Sequence, residues 1–167
     1  MGTTRIQLDP VSALFKTSAF PAIVANQGTN FPVGGLAFDA STKETAFFHF
    51  RADNYGSGNV TLTLRWYADT ASSGDVVYGA QLAVITPDTD TQDVETKALA
   101  TANTVTDSHL GTVGQRLHTC DVTITNLDSL ASGDEVWLAV YRDAAAGGDT
   151  MTGDAIVVGI EVSYSDT

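Results

Sequence analysis

The segment Asn59–Ala68, NVTLTLRWYA, constrains the fold most. Val60, Leu62, Leu64, Trp66 and Ala68 fall on one face of an extended chain, and Thr61, Thr63, Arg65 and Tyr67 on the other. Such period-2 alternation specifies a pleated strand with one buried and one polar face. Thr45–Arg51 repeats it, with Ala46, Phe48 and Phe50 opposite Phe47 and His49. Further strands are predicted over Val76–Thr86, Gln115–Asn126, Glu135–Asp143 and Ala155–Ser163. In the 115–126 strand, His118, Cys120, Val122 and Ile124 share a face. The clusters DNYGSG, TASSGD and LDSLASGD between strands are rich in residues suited to turns. Pro87–Glu95 is an acidic, non-periodic loop, and Thr96–Asn103 is the one stretch read as a helical turn or two. Strands spaced by turns, without long helices between them, predict an all-β, single-domain antiparallel β-sandwich or jelly roll over residues 41–167.

Residues 1–40 differ in character. They hold Pro10, Pro21 and Pro32, yet also Leu8, Val11, Leu14, Phe15, Phe20, Ile23, Val24, Phe31, Val33, Leu36 and Phe38, all of which need cover. Proline removes an amide donor and biases its predecessor toward extended backbone, so the sequence predicts an irregular, extended N-terminal arm. Such an arm would lie across its own sandwich or a neighbouring subunit. Phe15, Phe20 and Phe31 are its candidate interface residues, joined by Trp137 and Tyr141, which share a face opposite Val136, Leu138 and Val140.

Charge narrows the partners. Twenty acidic residues against 8 basic ones give a net charge of −12. That balance repels phosphate backbones and anionic membranes, so neither nucleic acid nor membrane is an expected partner. With Cys120 as the single cysteine, no intrachain disulfide forms. Met1–Leu8 lacks the apolar core of a signal peptide, which predicts a chain that does not use the usual export route.

Four tests for chemistry give weak or negative answers. Asp88, Asp90, Asp93 and Glu95 offer hard oxygens at close spacing, a weak candidate for calcium, but without the central glycine and terminal glutamate of an EF-hand loop. His109, His118 and Cys120 are too few for a structural zinc site. Gly56-Ser57-Gly58 is not a nucleophile elbow, and Gly147-Gly148 is not followed by the lysine of a phosphate loop. No catalytic set, metal or cofactor is therefore predicted, and the chain is not expected to be an enzyme. Trp66, Tyr67, Tyr78, Trp137 and Tyr141 could stack on sugar rings, but Trp66 shares the face of Val60, Leu62 and Leu64 and is predicted to be core.

The run WYADTASSGDVV, Trp66 to Val77, within a longer similar stretch from about Phe47 to Asp166, resembles a group of small virion proteins of tailed bacteriophages. The resemblance implies a non-enzymatic structural protein. Its expected role is capsid decoration, docking on the assembled phage shell and stabilising it. The major capsid protein or another virion protein would be the partner, and a homo-oligomer, with a trimer favoured, the working form. The implied location is the virion, after synthesis in a host cytoplasm. The alternative on the same fold is a carbohydrate- or receptor-binding β-sandwich module of a phage tail or fibre.

Overall fold

The computed structural model describes residues 2–71 and 73–167. Ten strands form two antiparallel sheets. They are β1 (Thr3–Leu8), β2 (Ala22–Gln27), β3 (Pro32–Phe38), β4 (Glu44–Arg51), β5 (Tyr55–Ala68), β6 (Asp75–Ile85), β7 (Asn103–Ser108), β8 (His118–Ile124), β9 (Glu135–Arg142) and β10 (Ala155–Asp166). The larger sheet has the order β2-β3-β10-β5-β8, with β1 also paired to β10. The smaller sheet has the order β4-β9-β6-β7. The predicted antiparallel β-sandwich is the observed fold.

Alternation drives the assembly. The apolar stripe of β5, Val60 to Ala68, is fully buried, and the stripes of β8 and β10 lie beside it. Ala46, Phe48 and Phe50 of β4 face them from the other sheet, with Val136, Leu138 and Val140 of β9 and Leu82 and Val84 of β6. Trp66 sits deepest, edge-on to Tyr78 across the core at 6.0 Å between ring centroids. Each large buried side chain contributes about 1.5–3 kcal/mol, so one continuous core serves both sheets.

The expected N-terminal arm is corrected by the structure. Thr3–Leu8 pairs residue by residue with Ser165–Ile160 of β10, and Leu36–Phe38 pairs with Val157–Ala155 on the same edge of that strand. Leu36 and Phe38 are fully buried. Residues 1–40 are therefore no separate unit, and the expected boundary at residue 40 falls inside the sandwich. A proline and a glycine hid the strands. Pro32 opens β3 at its first residue, where no ladder donor is needed. Gly35 lets β3 approach β10 so closely that a Cβ there would lie 2.4 Å from the Val157 carbonyl oxygen. The intervening segment crosses to the other sheet. Leu14 exchanges two backbone hydrogen bonds with Phe47, both at 2.9 Å, and the Ala19 carbonyl accepts from the Thr45 N–H. These contacts cover the edge of β4, which would otherwise expose unpaired backbone groups.

Two other expectations differ in detail. Thr96–Asn103 is not helical. It runs extended over β6, its Ala100 N–H donating to the Leu82 carbonyl at 2.8 Å, and Asn103 begins β7. The DNYGSG cluster is partly strand, since β5 starts at Tyr55.

One buried cation ties the sheets together at one end. Arg142, the last residue of β9, is fully buried, and its guanidinium grips Asp149 with two bonds, at 2.9 and 2.7 Å. It also donates to the carbonyls of Met151 and Gly153, each at 2.8 Å, and to that of Phe38 in the opposite sheet at 3.3 Å. Asp149 in turn accepts the Val77 N–H at 3.0 Å.

Two outcomes test this architecture. Deleting residues 1–40 should abolish the cooperative thermal transition, because it strips three strands and two buried side chains from the larger sheet; a truncated protein that melts cooperatively would restore the arm. Arg142→Met should cost about 3–5 kcal/mol in a denaturant melt by leaving Asp149 charged and unpaired in the interior; a loss under about 1 kcal/mol would show the pair to be dispensable.

Candidate functional site

The outer face of the larger sheet carries a well-formed concavity. Its strand order places the β2–β3 hairpin on one side of β10 and β5, and the segment leading into β8 on the other. Between them lies a groove of about 510 Å³, lined by Asn26, Gln27, Gly28, Phe31, Val33, Tyr67, Asp69, Gln115, Leu117 and Val158.

Each lining residue arrives for a local reason. Tyr67 points outward because Trp66 and Ala68 point inward, and it pairs across the ladder with Ile156. Leu117 precedes His118, the partner of Trp66, and so falls beside Tyr67 on the same face. Val158 is set by an irregularity in β10. The register against β5 shifts between Val157 and Gly159, inserting Val158 as an extra residue. Such bulges re-aim side chains without ending the strand. Phe31 stands at the turn of the hairpin and is 68% exposed.

Polar groups ring this apolar floor. The Asn26 amide donates to the Tyr67 hydroxyl oxygen at 2.8 Å, which leaves the hydroxyl proton free to donate outward. The Gln115 side chain donates to the Asp69 carbonyl at 2.6 Å and is held against the groove end. Asp69 is the one charged residue in the lining, and no cationic side chain enters it. The arrangement combines apolar faces for C–H surfaces with amides and a carboxylate for hydroxyl groups.

The residues singled out from the sequence are dispersed. Phe31 belongs to this groove. Phe15 and Phe20 stack on each other at 5.3 Å between centroids, on the segment that covers β4. Trp137 lies on the outer face of the smaller sheet, stacked at 4.7 Å on His49, whose Nε2 is 2.7 Å from Glu135. Tyr141 does not serve as an interface residue. Its ring lies across Gly79, where a Cβ would meet it at 2.2 Å, and Lys43 Nζ caps it at 3.9 Å, so it is buried within the subunit. These five aromatics therefore do not make one contact surface.

The acidic loop is occupied with its own backbone. Asp90 accepts the Thr86 N–H at 2.8 Å, and Asp93 accepts the Glu95 N–H at 2.9 Å. Asp88 sits at a positive φ of 61° in the turn between them. Among the described residues no three histidine, cysteine or acidic side chains converge as a metal-holding group. Burial, with Asp107 and Asp121 adding to it, pushes the Cys120 thiol up to about 12, so it stays protonated beside His118.

The sequence shows no match to a known family model. No curated protein matches it either. Among solved structures, the chain is similar to a xylan-binding module, CBM15, at 11% identity and a TM-score of 0.50, covering 99% of both chains. It is also similar to part of an isomalto-dextranase of Arthrobacter globiformis T6 complexed with panose, at 17% identity and a TM-score of 0.50, covering 96% of this chain. The chain spans 23% of that enzyme's length. At these identities the likeness establishes a shared β-sandwich fold.

Proposed function

We propose that this protein is a non-catalytic carbohydrate-binding module whose groove on the larger sheet takes a neutral oligosaccharide. The observation that carries the reading is the lining itself: Phe31, Val33, Leu117 and Val158 ringed by Asn26, Gln27, Gln115, the Tyr67 hydroxyl and Asp69. Sugar rings present apolar C–H faces and equatorial hydroxyls, which match such a mixture. The absence of a cation from the lining, in a chain of net charge −12, disfavours glycans that carry carboxylate or sulfate. The fold shared with a xylan-binding module is consistent with this role and does not specify the sugar.

Shell docking, the role the phage resemblance implies, drew one of its supports from the expected apolar N-terminal arm. With residues 3–8 and 22–38 built into the sheet, that support is gone. In the virion setting the resemblance suggests, the groove would serve contact with host or environmental polysaccharide rather than attachment to the capsid.

Calorimetric titration with xylohexaose, isomaltohexaose and a polygalacturonate hexamer tests the proposal. At least one neutral hexasaccharide should bind with a Kd between about 10 µM and 1 mM, and the anionic one should not. Phe31→Ala should weaken binding by about tenfold, the loss of one stacked aromatic, while the melting temperature stays unchanged because the side chain is exposed. Binding of the anionic oligomer alone, or affinity untouched by Phe31→Ala, would overturn it.

A further inference from the structure

The wall of the groove that carries Gln115 and Leu117 belongs to a segment, residues 109–117, that enters no strand ladder. Two histidines fasten it. His118 Nε2 accepts the Leu110 N–H at 3.0 Å, and His109 Nδ1 accepts the Gly111 N–H at 2.9 Å. The accepting nitrogens must be unprotonated, which fixes both tautomers. His109 therefore carries its proton on Nε2, 2.8 Å from the Gly114 carbonyl, and donates to it. His118 carries its proton on Nδ1, which is buried with no partner.

We propose that His109 and His118 are positioning residues for the groove: His118, as a neutral imidazole, clamps the 109–117 segment to the sandwich through Leu110, His109 fixes the turn of that segment from within, and protonation of His118 releases the Gln115–Leu117 wall. Adding a proton to His118 turns its accepting nitrogen into a donor facing the Leu110 N–H. That hydrogen bond is lost, and a second charge on the His109 ring, 4.6 Å away between centroids, would be repelled. His118 has little freedom to turn away, since it is buried and stacked at 4.3 Å and 16° on the Trp66 ring.

The surrounding groups do not neutralise a second charge. Asp107 of β7 is the one carboxylate acting on His118, and its oxygen already accepts the Trp66 indole N–H at 2.8 Å. Cys120 of β8 is an uncharged thiol. Tyr78 of β6 meets the pair only through Trp66. On the segment itself, Arg116 adds a cation and donates to the Leu110 carbonyl at 3.3 Å. Burial, reinforced by His109, holds His118 below its ordinary value of 6.5, with Asp107 pulling the other way. The clamp is consequently intact above that value and is lost as pH falls through the lower folded-state value. Loss of glycan affinity at acid pH follows only if the groove binds sugar, so that consequence rests on the function proposed above.

Nuclear magnetic resonance on the full chain, from about pH 7.5 to about pH 4.5, separates the two claims. The His118 ring should titrate below 6.5. Over the same interval the exchange protection of the Leu110 and Gly111 amides should fall about tenfold or more, while amides of β5 and β10 hold theirs. The Gln115 side-chain amide should lose its shifted resonance with the same midpoint. A double variant, His109→Gln with His118→Gln, keeps uncharged acceptors and should flatten the profile. Protection of Leu110 and Gly111 that is unchanged while His118 protonates would overturn the clamp in the unmodified protein, whether or not the variant folds. Xylohexaose and isomaltohexaose added at both ends of the range report separately: loop release with neither sugar bound at either pH would sink the glycan reading and leave the clamp standing.

Discussion

The buried Arg142–Asp149 pair is the constraint from which the groove end of the molecule is organised. A guanidinium removed from water is tolerated only when its donors are satisfied, and here Asp149 and three carbonyls satisfy them. The consequence is a fixed path for residues 149–154. Thr150 and Met151 both donate to the Asp75 carbonyl, and the Asp154 carbonyl accepts the Asp69 N–H at 2.9 Å. Asp69 then stands at the mouth of the groove with its carbonyl held by Gln115. A charge buried in the smaller sheet thus helps set the backbone position of Asp69 at the edge of the groove on the larger one.

Against that fixed end, the remaining groove is made by departures from regular sheet geometry. The β10 bulge presents Val158, and the β2–β3 hairpin extends past its pairing with β10, because Pro32–Gly35 pair with β2 while only Leu36–Phe38 pair with β10. A flat sheet face would have offered Tyr67 and Leu117 alone. The overhang adds Phe31 and the amides, and encloses a volume suited to a short oligosaccharide. Farther along the same face the surface becomes charged and self-satisfied. Glu161 pairs with Arg5 at 2.5 Å and also accepts from Gln7, and Asp121 accepts the Thr63 hydroxyl at 2.6 Å. Those groups are bound to each other, whereas the groove amides keep hydrogen-bonding capacity to spare.

The parts of the fold visible in the sequence are those where burial is one-sided. In β5 and β8 the inner and outer residues differ in polarity, so alternation exposes the strand and assigns its core face; Trp66, His118 and Cys120 all lie where that pattern put them. The strands that escaped notice lack such contrast. β3 reads PVGGLAF, with Gly35 where close packing excludes a side chain, and β7 reads NTVTDS, a polar edge strand whose residues alternate between half-buried and exposed. The groove itself was hidden for a different reason. Its residues come from positions 26–33, 67–69, 115–117 and 158, each ordinary in its own segment, and they meet only through the strand order. Two of them were singled out from the sequence, Phe31 for an intersubunit contact and Tyr67 as one of five aromatics able to stack on a sugar ring, but nothing local joined them. The pairing of His109 with His118 was legible as proximity, but their roles as backbone acceptors depend on a loop conformation that no local pattern encodes.

The central claim is that this sandwich binds its ligand on the overhung end of the larger sheet. Mapping backbone amide shifts of isotopically labelled protein during titration with a neutral hexasaccharide, up to about 10 mM to reach weak affinities, tests it most directly. Perturbations should concentrate at Asn26–Val33, Tyr67–Asp69, Gln115–Leu117 and Val158, with the outer face of the smaller sheet silent. Shifts centred on Trp137 and Phe47 would contradict the account, as would a spectrum that no neutral glycan changes.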